Sequence, residues 1–224
     1  MLYLPPNLPD PSDARHTNAV MDVAVPLIEA SAGGAFVLFT SHRALQRASQ
    51  LLRDRWAELG EFPLLVQGEA PREQLLRQFR ESGNAVLLGT ASFWEGVDVR
   101  GDALRLVIIE KLPFASPDDA LTRARIEHLK STGGNAFREY QLPEAALALK
   151  QGVGRLIRSE TDRGVVVICD PRLVDKPYGR VLRASLPPMP VTRVASDAEK
   201  FLRRIAGTAS STLPMLVREP VFDS

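Results

Sequence analysis

The 224-residue sequence holds a single cysteine, Cys169. No disulfide can close within it, and no cysteine-ligated zinc or iron–sulfur site can be built from it. The three histidines, His16, His42 and His128, stand far apart, without the spacing of a metal site. No apolar run approaches the length of a bilayer span. The Pro-rich start, residues 1–11, lacks the basic region and apolar core of a signal peptide. These absences point to a soluble, cytoplasmic chain with no membrane contact. The formal net charge is only +1, so there is no global basic signature of a nucleic-acid binder, and any such binding must come from local patches.

Nucleotide-binding patterns are missing as well. There is no G-x-x-x-x-G-K-[ST] phosphate loop. No acidic pair follows a strand in the manner of a magnesium site. Gly33-Gly34 precedes a strand pattern instead of opening a helix, so it is not a dinucleotide fingerprint, which argues against a small-molecule Rossmann enzyme. Alone, the chain lacks the parts that hold nucleotide and magnesium, and it cannot be a complete ATPase.

What is present is ordinary globular composition, 45% hydrophobic and 25% charged, enough for one large domain. Short apolar runs stand at Phe36–Phe39, Leu64–Val66, Ala85–Leu88, Leu106–Ile109 and Val165–Ile168. Each is bounded by Gly, Pro or polar residues, as expected of parallel strands buried on both faces. Helical stripes lie between them. Leu45, Ala48, Leu52, Trp56 and Leu59 step by three and four, and Leu75, Leu76 and Phe79 mark a second helix behind Pro71. A leading helix is expected over about 13–29, one from near Pro143, and a last one over about 198–205. Strands alternating with helices predict an α/β, doubly wound, mostly parallel sheet with helices on both faces. Residues 116–140 break the rhythm and read as a helical insertion. The domain is placed at 1–206, with a C-terminal tail at 207–224.

The most informative segment is Gln151-Gly-Val-Gly-Arg155-Leu-Ile-Arg158, late on a predicted helix before a buried strand. Gln151, Arg155 and Arg158 project from one helical face. One amide and two guanidiniums suit a spread of anionic oxygens. Gly152 and Gly154 allow a partner to approach closely, although each costs a helix about 1 kcal/mol relative to Ala. By spacing alone, a solvated basic helix end explains the pattern equally well.

The pattern Q-x-x-G-R-x-x-R resembles motif VI of superfamily 2 helicases, and the likeness extends over roughly residues 1–190. Phe36-Val-Leu-Phe-Thr-Ser41 resembles motif IV, and Gln67-Gly68 the short turn after the next strand. Leu88-Gly-Thr90-Ala-Ser92-Phe-Trp94-Glu95-Gly-Val-Asp98 resembles motif V, in the form seen in the DinG family, with Lys111-Leu-Pro-Phe114 following. The chain is therefore similar to the DinG and XPD-like DNA helicases, in their second, RecA-like motor domain only.

The resemblance implies a motor domain that works on single-stranded DNA with 5′ to 3′ polarity, in repair and replication. Its partner is a preceding motor domain of the same protein. That domain would hold most of the ATP and Mg2+ contacts and a 4Fe-4S cluster, and would lie before Met1. Arg158 and Arg155, with Gln151 nearby, are implied as the catalytic finger group. Gly154, Glu95 and Asp98 fall on the nucleotide side, and Ser41, Thr90 and Trp94 on the DNA track. Other readings stand beside these. Ser41 suits a helix N-cap, and Asp98 a turn cap. Phe93 suits packing under the motif V turn, while Trp94 fits either packing or base stacking. Arg123, Arg125, Lys130 and Arg138 suit a solvated face. Tyr3-Leu4-Pro5 resembles a linker into the domain, so the chain is expected to be a piece of a longer protein. Leu213, Met215, Leu216, Val217 and Phe222 give the tail an apolar string that would suit a replication or repair protein, or merely a frayed end. The competing class for the whole chain is a non-catalytic nucleic-acid or protein docking module of the same fold.

Overall fold

A computed structural model describes residues 1–56, 62–90, 93, 103–115, 119–154 and 163–210, with side chains up to 207. The central strands are β2 (Ala35–Phe39), β4 (Val86–Thr90), β5 (Leu106–Ile109) and β6 (Val165–Ile168), every residue of which is buried. Strand β3 (Leu64–Val66) flanks β4, and two two-residue strands, β1 (Leu2–Tyr3) and β7 (Val191–Thr192), extend the opposite side. The described strands run in the order β3-β4-β2-β5-β6-β1-β7, and each described pairing is parallel.

Alternation along each strand divides the core in two. Phe36, Leu38, Leu87, Val107, Ile109, Val166 and Ile168 face one layer. That layer contains α3 (Arg72–Ser82), α5 (Leu142–Val153), and the short α6 (Arg172–Asp175) and α7 (Gly179–Ala184). Val37, Phe39, Val86, Leu88, Ile108 and Val167 face the other. There α1 (His16–Ala30), α2 (His42–Trp56) and α8 (Ala195–Ser210) pack. The predicted stripes supply the helix faces: Val20, Ala24 and Leu27 on α1, Leu45, Ala48, Leu52 and Trp56 on α2, and Leu75, Leu76 and Phe79 on α3 are all buried. This is the doubly wound, RecA-like α/β architecture expected.

Three details differ from expectation. The leading helix starts at His16, after an irregular stretch in which Asp13 accepts the Arg15 backbone N–H at 2.8 Å. Tyr3, read with Leu4 and Pro5 as linker, belongs with Leu2 to a strand wedged between β6 and β7, because Leu2 pairs with Val166 on one side and Val191 on the other. The insertion contains α4 (Ala120–Ser131), whose N-cap Asp119 accepts the Thr122 N–H at 2.7 Å, and then a π-helical turn at Phe137–Gln141 that runs directly into α5. Of the tail, residues 207–210 continue α8 and the rest lies outside the described residues. No helix among the described residues is long and apolar enough to cross a membrane.

Candidate functional site

Ligands of an open parallel sheet collect at the carboxyl ends of its strands, where helices diverge to opposite faces. Here β2 and β5 are neighbours, yet α2, after β2, covers one face and α5, beyond β5, the other. The exits of β2, β4, β5 and β6 carry Ser41, Thr90, Glu110 and Asp170.

Ser41 is exposed and caps α2: its hydroxyl accepts the Ala44 N–H at 3.2 Å, and its carbonyl accepts the Leu45 N–H at 3.1 Å. Phe39 and Thr90 are register partners on adjacent strands, so Ser41 and Thr90 close one edge of the sheet together. Thr90 is buried and donates both its backbone N–H (2.6 Å) and its hydroxyl (3.1 Å) to Oε1 of Gln67. Gln67 reaches across from the turn after β3, where its own N–H donates to the Leu88 carbonyl and Gly68 takes φ +99°. Just past Thr90, Phe93 is buried. Its side chain lies so close to Gly89 that a Cβ there would come 3.0 Å from the Phe93 Cβ and 3.2 Å from its ring, and the Arg72 guanidinium sits 5.6 Å from the ring centroid. Phe93 is thus a packing wedge, as its alternative reading held.

The exit of β5 is polar and closed. Glu110 is fully buried, its Oε1 accepting the Thr17 hydroxyl at 3.0 Å with Lys111 Nζ at 3.8 Å; its Oε2 has no hydrogen-bond partner among the described residues. His16, also buried, places Nδ1 2.9 Å from the Pro9 carbonyl and Nε2 3.1 Å from the Glu110 carbonyl. The start of α1 is thereby pinned to the sheet edge. At the exit of β6, buried Asp170 accepts the Leu112 N–H at 2.9 Å and grips Arg172. That side-chain hydrogen bond to Asp170 raises the Arg172 pKa. Between them, burial pushes the Cys169 thiol far up, with Glu110 and Asp170 adding to the shift. Phe114, Phe137 and Tyr178 meet above this edge with ring centroids 5.1 to 5.8 Å apart, tying the insertion to the exits of β5 and β6. Among the described residues, no group of three or more His, Cys, Asp or Glu side chains gathers as a metal site would require.

Gln151 and Gly154 stand elsewhere. Helix α5 starts near the carboxyl edge, where Phe137 touches Phe114 and Tyr178, and runs for 12 residues, about 18 Å at the usual rise. Gln151 is exposed near its far end, and Gly154 terminates it with its N–H on the Lys150 carbonyl at 2.8 Å. Arg155, Arg158, Trp94, Glu95 and Asp98 lie outside the described residues. The expected site residues that are described stand in two places, Ser41 and Thr90 at the sheet edge and Gln151 and Gly154 at the end of α5.

No role for Glu110, His16 or Asp170 was legible in the sequence. The signal for Glu110 and Asp170 was an acidic residue directly or closely following a fully apolar strand. Nothing marked His16, because its partners are backbone carbonyls, which carry no side-chain signal, one of them 94 residues away.

The helicase C-terminal domain family matches residues 24–189. The sequence is 52% identical over 199 residues to the ATP-dependent DNA helicase YoaA of Escherichia coli (strain K12), covering 88% of this chain and 30% of the relative. It is 40% identical over 207 residues to the ATP-dependent helicase DinG of Mycobacterium tuberculosis, covering 92% of this chain and 31% of that one. The chain thus spans about a third of the length of these relatives. In three dimensions it resembles an XPD helicase, with a TM-score of 0.61 at 20% identity, over 85% of this chain and 35% of the other; that likeness speaks for the fold.

Proposed function

This chain belongs to the helicase C-terminal domain family, in its DinG and YoaA group with XPD-like architecture, and we propose that it is the second motor domain of an ATP-dependent 5′ to 3′ DNA helicase serving repair and replication. In this reading a preceding domain of the same protein holds ATP, Mg2+ and a 4Fe-4S cluster, and this domain closes upon it. Single-stranded DNA crosses the carboxyl edge of the sheet, its backbone phosphates meeting Ser41 and Thr90, with Trp94 beside a base. Arg158 and Arg155 meet the terminal phosphoryl group, and Gln151, Gly154, Glu95 and Asp98 serve the nucleotide side with them. Guanidiniums brought there by closure stabilise developing negative charge and couple turnover to motion.

The observation that carries the reading is the pairing of Phe39 with Thr90, which sets Ser41 and Thr90 together at one sheet edge. Gln151 and Gly154 at the far end of α5 support a nucleotide side separate from that track. The test is Arg158→Ala in the complete two-domain protein. DNA-stimulated ATP turnover should fall on the order of a thousandfold while single-strand binding persists. Unchanged turnover would replace the motor reading with that of a docking module. By the same reading, this chain alone hydrolyses no ATP, and its single-strand binding is weak and salt-sensitive.

A further inference from the structure

One acceptor at the sheet edge takes two hydrogen bonds that a DNA phosphate would need. The atom of the Gln67 side chain facing Thr90 must be its oxygen, because a backbone N–H can only donate. That N–H lies 2.6 Å from it, and the Thr90 hydroxyl, 3.1 Å away, donates to the same atom. A backbone amide and a hydroxyl converging on one oxygen is also how a protein holds a non-bridging phosphate oxygen. Thr90 is 7% exposed, so while Gln67 lies across it, a strand cannot reach these donors.

We propose that Gln67 is a displaceable latch: its neutral amide oxygen occupies the phosphate position on Thr90, and an arriving DNA phosphate takes over the two donors as Gln67 turns away. The inference rests on the reading of Thr90 as a phosphate contact. The exchange favours the phosphate, because hydrogen bonds to a charged acceptor are roughly twice as strong as neutral ones. In the unliganded chain the latch keeps both donors satisfied and aimed at one point, which avoids leaving a buried N–H unpaired. Gln67 is suited to turn. It follows β3 in a tight turn with Gly68 at φ +99°. Its backbone is held by the N–H donated to Leu88 O, so only the side chain has to move.

The test measures binding of a fluorescein-labelled oligothymidylate to the full 224-residue chain by anisotropy at fixed low salt, beside thermal melting. Gln67→Ala and the apolar near-isostere Gln67→Met should both bind roughly fivefold tighter, since a neutral competitor worth about 1 kcal/mol has gone. Gln67→Glu should bind more weakly than the unaltered chain, because a carboxylate holds the donors more firmly and repels phosphate. A merely structural Gln67 would weaken binding in all three, so that result overturns the latch, as does unchanged affinity in a folded Gln67→Met. Thr90→Val separates the two ideas. If it loses binding while the Gln67 variants fail to tighten, the latch alone falls. If it leaves affinity unchanged, the phosphate reading of Thr90 falls, and the latch with it.

Discussion

Asp170 and Arg172, two residues apart at the exit of β6, hold each other through both carboxylate oxygens, Nη2 to Oδ2 at 2.6 Å and Nε to Oδ1 at 2.9 Å. The same carboxylate accepts the Leu112 N–H at 2.9 Å and the Arg172 N–H at 3.0 Å, so the exits of β5 and β6 are tied through one side chain. The carboxylate has no exposure, while the Arg172 side chain keeps 28%. Removing the acid strands a half-buried guanidinium and leaves the Leu112 N–H unpaired. Asp170→Ala should therefore cost about 3 kcal/mol or more in urea unfolding, and Asp170→Asn less. A loss under about 1 kcal/mol would show that water replaces the carboxylate.

Gly33 turns α1 into β2 at φ +72°, and a Cβ there would lie 1.9 Å from the Asn84 carbonyl oxygen. The clash is with backbone, so no side-chain rotation relieves it. Gly33→Ala should either fail to yield folded protein or lose more than about 3 kcal/mol, above the roughly 1–3 kcal/mol of left-handed strain alone. Gly83→Ala is the contrast. It shares a positive φ of +67°, but its Cβ would meet nothing, so its loss should be limited to the conformational strain. Urea midpoints of the two variants measure the difference.

The central strands were legible because burial on both faces leaves a strand nothing but apolar residues, and Val165–Ile168 or Leu106–Ile109 cannot be hidden in composition. Strands β1 and β7 were not legible. Leu2–Tyr3 and Val191–Thr192 are two residues each; the first exists because Val166 and Val167 offer it a strand edge, and the second because Leu2–Tyr3 then offers its own. Ser41 could be read as a cap from its place ahead of a helical stripe. The Gln67–Thr90 contact could not, since the partners are 23 residues apart and meet only once β3 lies beside β4. The same holds for His16, whose Nε2 faces a carbonyl 94 residues away.

Cys169 directly follows β6 in the core layer packed by α1, α2 and α8, without exposure. Burial raises its pKa well above the ordinary thiol value of 9.0, and the nearby Glu110 and Asp170 carboxylates push the same way. The folded thiol thus stays protonated where an unfolded one ionises. Its contribution to stability is complete below pH 9 and is lost as pH climbs further. Native protein should remain unlabelled by iodoacetamide between pH 7 and about pH 9. In denaturant it should take up one equivalent, read by mass. Labelling of the native chain that rises with pH in this window would mean the α1 side of the sheet opens.

Ser41 is a helix cap, and the phosphate contact proposed for it is a second role that substitutions can separate from the first. As a cap, its hydroxyl accepts the Ala44 N–H at 3.2 Å at the start of a 15-residue helix. As a phosphate contact, it would have to donate. Ser41→Ala removes both abilities and should cost about 1 kcal/mol of stability as well as single-strand affinity. Ser41→Asp retains the cap, since a carboxylate accepts the same N–H and also favours the positive end of the helix dipole. It cannot donate, however, and it repels phosphate. Its melting temperature should equal or exceed that of the unaltered chain, while oligothymidylate binding falls below that of Ser41→Ala. If Ser41→Asp binds as tightly as the unaltered chain, Ser41 is a cap alone, and the DNA track does not pass over the N-terminus of α2.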